Sequence, residues 1–206
     1  MFYTEHLCPV ERVTNGPFHH FFGYYEKTPW DATGRYLLGH RVAFLHRPNT
    51  PEDMVVIGLI DTQQGNRWQP LAETTVWCWQ QATMLQWLGS APEGEIIFNT
   101  RNGHDFCAAL LDIQRGEQRM LPMPVYAVAP DGRYAMSLNF ARLDRTRPGY
   151  GYKGGVDHTA GQLAPAETGV YHIDLQSGVA TLVVSLAQLA QTEPEATMPV
   201  AEHWVN

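Results

Sequence analysis

One short phrase is written three times along this chain: Leu59-Ile60-Asp61-Thr62-Gln63-Gln64-Gly65, Leu111-Asp112-Ile113-Gln114-Arg115-Gly116 and Ile173-Asp174-Leu175-Gln176-Ser177-Gly178. Each is an apolar strand end, an Asp, a few turn residues and a Gly. The Asp carboxylate bonds its own backbone two residues on, and Gly supplies the positive φ that closes a hairpin. A second phrase, Trp30-Asp31-Ala32-Thr33-Gly34-Arg35-Tyr36, returns as Ala129-Pro130-Asp131-Gly132-Arg133-Tyr134, with Ala91-Pro92-Glu93-Gly94 holding the same place between them. Each repeat therefore carries two hairpins, hence four antiparallel strands. That is the unit of a β-propeller blade, whose period runs at about 40–50 residues before insertions. An ordinary β-sandwich with accidental turn similarity is the alternative.

The fold class predicted is all-β, a propeller of four-stranded antiparallel blades. The boundaries are a lead-in at 1–21, blades at 22–75, 76–123 and 124–190, and a connection into a further blade at 191–206. Propellers close with roughly four to eight blades. Glu202-His203-Trp204-Val205-Asn206 reads as the start of another first strand. The expectation is thus the N-terminal part of a larger propeller, whose remaining blades act as partners for the outer faces of this array. Ser185 to Glu193 is the one predicted helix, with Ser185 as N-cap.

The charge balance is −7, which disfavours general binding to nucleic acid or an anionic membrane while leaving room for a local basic patch. The longest apolar run, Val55 to Ile60, is strand-length and far short of a membrane span. The opening Met1-Phe2-Tyr3-Thr4-Glu5-His6 lacks the basic and apolar regions of a signal peptide. Cys8, Cys78 and Cys107 match no zinc spacing and fit reduced thiols, so a cytoplasmic setting is expected.

In a propeller the innermost strands line a channel, and residues leading into them converge on one mouth. Here these are His19 to Lys27, Trp77-Cys78-Trp79-Gln80-Gln81, Pro124 to Ala127 and His203 to Asn206. Aromatic faces beside amide, carboxylate and imidazole groups suit a sugar, whose C–H face stacks while its hydroxyls bond. The bland alternative is that Tyr24, Tyr25, Trp77 and Trp79 pack blades together. In the tandem Gln80-Gln81 one amide must face inward, where it needs partners. His19, His20 and His203 suggest a metal, yet no ligand spacing supports one, so no metal site is expected within this chain. Glu26 and Lys27 serve as an acid–base pair or simply a solvated one. Arg142 to Lys153 interleaves Arg142, Arg145, Arg147 and Lys153 with Tyr150 and Tyr152; it reads either as an anion-binding loop suited to a carboxylated sugar or as a solubilising surface loop. No nucleophile elbow, Walker loop or dinucleotide fingerprint occurs.

His20 to Asp31, Asn139-Phe140-Ala141-Arg142-Leu143 with Arg147-Pro148-Gly149-Tyr150-Gly151-Tyr152, and His203-Trp204-Val205-Asn206 resemble a bacterial family of uncharacterised WD40-like, TolB-type propeller proteins. The blade pattern is more distantly similar to that of oligogalacturonate lyases, which implies a full propeller of seven blades. That second resemblance implies a divalent metal at the mouth of the full propeller and β-elimination on unsaturated uronides. No residue here matches that family's ligands or catalytic groups, and none is carried over.

Two functions follow as expectations. The first is a carbohydrate-binding or carbohydrate-active propeller with an oligosaccharide held by Tyr25, Glu26, Trp79, Gln80, Arg142, Arg147 and His203. The second is a non-catalytic platform that uses the same mouth for a protein partner.

Overall fold

The computed structural model describes residues 8–88 and 94–206. It contains three four-stranded antiparallel sheets. The first joins β1 (His19–Phe21), β2 (Tyr36–Val42), β3 (Val55–Asp61) and β4 (Arg67–Thr74). The second joins β5 (Gln86–Trp87), β6 (Glu95–Asn102), β7 (Asp105–Asp112) and β8 (Gln118–Leu121). The third joins β9 (Ala127–Val128), β10 (Tyr134–Ser137), β11 (Gly169–Asp174) and β12 (Ala180–Ser185). Every sheet is a meander in chain order. A sandwich would carry crossovers between sheets, and the described residues carry none.

The three Asp phrases close the hairpins between the third and fourth strands of each sheet. Asp112 accepts from the N–H groups of Gln114 and Arg115, and Asp174 from those of Gln176 and Ser177. Gly65, Gly116 and Gly178 take φ of 66°, 71° and 75°, the left-handed region that a side chain disfavours. The companion phrase closes the hairpin between first and second strands: Asp31 accepts from Arg35 and Tyr36 N–H at 2.9 and 2.8 Å. A bidentate Arg35–Asp61 pair, at 2.9 and 2.6 Å, ties the two turns of the first sheet together. Ala91, Pro92 and Glu93 of the middle copy, like Met1 to His6, lie outside the described residues.

Why the sheets stack follows from period two. In β6 and β7, Ile96, Phe98, Ala109 and Leu111 point one way and pack with Leu38, Ile57 and Leu59 of the first sheet. Ile97, Ala108 and Leu110 point the other way, onto Ala135, Ile173 and Leu175 of the third. The middle sheet is thus buried on both faces, each large aliphatic contributing roughly 1.5–3 kcal/mol. At the seam between the second and third sheets, Asn99 is fully buried. Its amide donates to Val125 O at 2.8 Å and to the Tyr152 hydroxyl at 2.9 Å, and its carbonyl accepts Val125 N–H at 2.7 Å.

Two expectations need correction. The first sheet begins at His19, ahead of the expected boundary at 22, and its inner strand is interrupted: residues 22–29 leave the ladder, which resumes at the Trp30–Leu37 bridge. The stretch from Arg142 is not wholly a loop. It opens inside a helix, α1 (Phe140–Thr146), capped by the Asn139 side chain accepting Arg142 N–H. Phe140 and Leu143 bury the helix against Val76, Met84 and Tyr152. The one expected helix is present as α2 (Leu186–Gln191), with a complete Ser185–Gln188 capping box.

Gly151 lets the chain cross α1 closely. A Cβ there would lie 2.1 Å from Asp144 N and 2.3 Å from Phe140 O, both backbone atoms of the helix. Gly151→Ala is expected to destabilise the chain by about 1–3 kcal/mol, read as a lowered denaturation midpoint; an unchanged midpoint would contradict this packing.

Among the described residues no helix is long and apolar enough to cross a membrane. Cys78 and Cys107 are buried free thiols, and burial pushes each up to about 11.

Candidate functional site at the inner strands

The interruption of the first inner strand sets out Tyr24, Tyr25, Glu26 and Lys27 in a turn closed by Lys27 N–H on Tyr24 O. Gly23, at φ 138°, presses its backbone onto the second sheet: a Cβ there would lie 2.8 Å from the Ala82 Cβ. Facing it is a hook, Cys78 to Ala82, whose ends exchange both backbone hydrogen bonds at 3.3 and 2.9 Å. The hook forces Ala82 and Met84 to φ of 51° and 54°. Positive φ at two non-glycine residues stores strain that surrounding structure must hold.

That strain holds Gln81 in place. Gln81 is 1 % exposed, and its amide N–H groups donate to the Tyr126 hydroxyl at 3.2 Å and Asn206 Oδ1 at 3.3 Å. Its carbonyl Oε1 is buried with no hydrogen-bond partner. Behind the hook, Thr83 bonds the fully buried His40 imidazole at 2.9 Å. Tyr126 leads into β9. Lys27 Nζ lies 5.5 Å from its ring centre and 3.0 Å from Glu26 Oε1, with the Lys27 side chain only 11 % exposed. Arg147, just past α1, stacks its guanidinium on Tyr150 at 3.7 Å.

These groups feel one another electrostatically. Burial raises the Tyr126 phenol and the Glu26 charge adds to it, while the Gln81 bond and the Arg147 charge oppose. Tyr24 is pushed up to about 12, chiefly by its hydrogen bond with Tyr25, whose ring centre is 4.6 Å away. Of the residues expected from sequence, Glu26 reaches Tyr126 through Lys27, Tyr25 packs on Tyr24, and Arg147 stacks on Tyr150 with its charge felt at Tyr126. Tyr24, Lys27, Gln81, Tyr126 and Asn206 join them; the signal for Gln81 was its place in the Gln80-Gln81 pair.

The other expected residues lie elsewhere. Gln80 is exposed, and its neighbour is the buried amide. Trp79 is packed among Phe21, Phe44 and Trp77, with ring centres 4.9–5.7 Å apart, and its indole N–H donates to Arg47 O. Together with Trp77 N–H on Asp53 O and Asn49 on Trp77 O, it fastens the 43–54 loop to the second sheet. Its face is spent on packing.

Arg142 is the larger surprise. The expected surface cation is 1 % exposed. Its guanidinium donates to His203 O, Thr159 O and Oγ1, Gln162 O and Leu163 O. Asp157 and Glu202 lie 3.6 and 3.3 Å away, and Arg145 bonds the same two carboxylates. Burial pushes Asp157 up, but bonds from Thr159 and Arg145 and the Arg142 charge outweigh it and hold the carboxyl below its ordinary value. This network leaves Arg142 no spare N–H for a ligand. It does bring in His203, through its backbone: His203 N–H donates to Leu163 O while its carbonyl accepts from Arg142. The segment so held delivers Asn206 to Gln81.

Among the described residues no three His, Cys, Asp or Glu side chains converge as metal ligands. The residues present do not fit a divalent-metal centre of their own, and no chemistry is routed through one.

Neither a protein family nor a curated protein matches this sequence. Among solved structures, an oligogalacturonate lyase in complex with manganese superposes with a TM-score of 0.54 at 13 % identity, over 84 % of this chain and 43 % of that one. TolB from Acinetobacter baumannii matches with a TM-score of 0.38 at 11 % identity, over 78 % of this chain and 43 % of that one. An uncharacterised protein of Listeria monocytogenes matches with 0.35 at 12 %, over 79 % and 41 %. The chain thus spans about two fifths of the length of each of these three structures. At these identities the likeness is one of fold: three four-stranded antiparallel sheets, distantly related to a propeller-like arrangement.

Proposed function

We propose that this chain forms an oligosaccharide-binding mouth of a β-propeller, selective for acidic sugars. The observation that carries the reading is the charge pattern around Tyr126. Lys27 lies over Tyr126 and pairs with Glu26, while Arg147 stacks on Tyr150, bears on Tyr126 through its charge, and has no carboxylate partner among the described residues. A cation stacked on a tyrosine with its N–H fork unspent suits a carboxylate. Tyr25, 84 % exposed, offers a ring face for the sugar's C–H surface. The fold likeness to a lyase named for oligogalacturonate supports the same substrate class. In this proposal Tyr25, Glu26 and Arg147 touch ligand, while Trp79, Arg142 and His203 support the mouth. Gln80, exposed beside Gln81, is available to a longer ligand. The proposal is confined to binding, because β-elimination also needs a base and a group that acidifies the proton beside the carboxylate.

The test is calorimetric titration of the chain with trigalacturonate and, as neutral control, cellotriose. Arg147→Ala is expected to weaken trigalacturonate about tenfold or more, equivalent to a charge-assisted bond of roughly 1.5–3 kcal/mol, and to leave cellotriose unchanged. Equal losses would refute carboxylate reading by Arg147. Binding of neither sugar would favour the interaction-platform alternative.

A further inference from the structure

We infer that the Gln81 side-chain amide reads a vicinal pair of ligand hydroxyls, and that Asn206 occupies the place one of those hydroxyls would take. The inference rests on the oligosaccharide reading above and names the feature of the sugar that the mouth requires. Three observations carry it. Gln81 is 1 % exposed, yet its Oε1 lacks any hydrogen-bond partner while its Nε2 has two. A buried acceptor left unpaired is costly, so such an atom marks either a defect or a place kept for a donor. The second observation is rigidity. The hook closes on itself through Cys78 and Ala82, Gly23 is pressed against it, and Thr83 is tied to His40, so the backbone that carries Gln81 is fixed, and its 1 % exposed side chain is enclosed by its neighbours.

The third is Asn206. It is exposed, and its carbonyl accepts from Gln81 at 3.3 Å, the longer of the two amide bonds. An amide presents a donor and an acceptor along one edge, whereas a carbonyl in the position of Asn206 can answer only the donor. Two adjacent hydroxyls answer both: one oxygen accepts from Nε2 and the other hydroxyl donates its proton to Oε1. Displacing Asn206 exchanges one long bond for two. Tyr126, already accepting from Gln81, keeps its own phenolic proton for the ligand. A sugar whose adjacent hydroxyls are esterified has no proton for Oε1 and is refused.

The experiment titrates the chain with trigalacturonate and with trigalacturonate acetylated at its C2 and C3 hydroxyls. The unsubstituted protein is expected to prefer the free form by about tenfold. Gln81→Met, close in volume, should abolish that preference. Asn206→Ala, which vacates the place without touching the amide, should bind the free form as tightly as before or more tightly. Equal affinity of the unsubstituted protein for both forms would overturn the inference while leaving the oligosaccharide reading standing. So would a preference that survives Gln81→Met, or an Asn206→Ala loss as large as that of Gln81→Met. Binding of neither form, with the melting transition retained, would instead remove the oligosaccharide reading and this inference with it.

Discussion

Arg142→Met should destabilise the chain by about 3–5 kcal/mol, the range for removing one partner of a buried ion pair. The substitution keeps the aliphatic stem and deletes the guanidinium. Thr159, Gln162, Leu163 and His203 then lose the donor their carbonyls share. Asp157, whose side chain is 5 % exposed, loses a cation and keeps only Arg145. Urea unfolding followed by tryptophan fluorescence measures the cost. Arg147→Met serves as the comparison, since that guanidinium bears on no buried carboxylate and should cost little. A loss below about 1 kcal/mol at Arg142 would mean that the network adds nothing beyond packing.

Acid should weaken this fold well before its carboxylates titrate. Burial lowers the His40 imidazole from 6.5 to about 4. Below pH 6.5 the unfolded chain therefore takes up a proton that the fold refuses. The His40 contribution is whole above pH 6.5 and is lost as pH falls toward about 4, amounting to roughly 3 kcal/mol. His20, lowered chiefly by burial, acts in the same direction. Asp31, Asp61, Asp157 and Glu202 are held below their ordinary values, so their contributions fade only at more acid pH. His40→Gln, which can still meet Thr83 but cannot charge, should flatten the profile between about pH 6.5 and pH 4.5. A profile as steep as that of the unsubstituted chain would assign the dependence to other groups.

The hairpins of the three sheets were legible because their signals are local. Asp and Gly at fixed spacing dictate a turn whatever surrounds it, so the hairpins at Asp61, Asp112 and Asp174 could be read from a few residues each. The Ser185 cap is local in the same way. Placement of the candidate site residues was not, because it depends on which sheet reaches which. Arg142 reads as a surface cation until Asp157, Thr159 and Glu202 are brought around it, and those partners lie 15 to 60 residues away in the chain. Trp79 likewise carries an aromatic face in the sequence but has it covered by Phe21 and Phe44 from another sheet. Asn139 followed by Phe140 and Leu143 is a cap before an i, i+3 apolar pair, a local signal for the helix that stands where the charge pattern suggests a loop.

Asn99 has a consequence for how the sheets align. Its side chain meets Val125 with one donor and one acceptor in fixed order, a two-pronged plug between one sheet and the next. Hydrophobic faces alone would tolerate a small slide, because Leu and Ile repack against many offsets. A plug does not: displacing the third sheet by a single residue, about 3.3 Å, withdraws both prongs at once and strands a buried amide. Alignment between these sheets is therefore all-or-none, and the position of Tyr126, next in sequence to Val125, is set to within a bond length by a side chain that never touches the mouth.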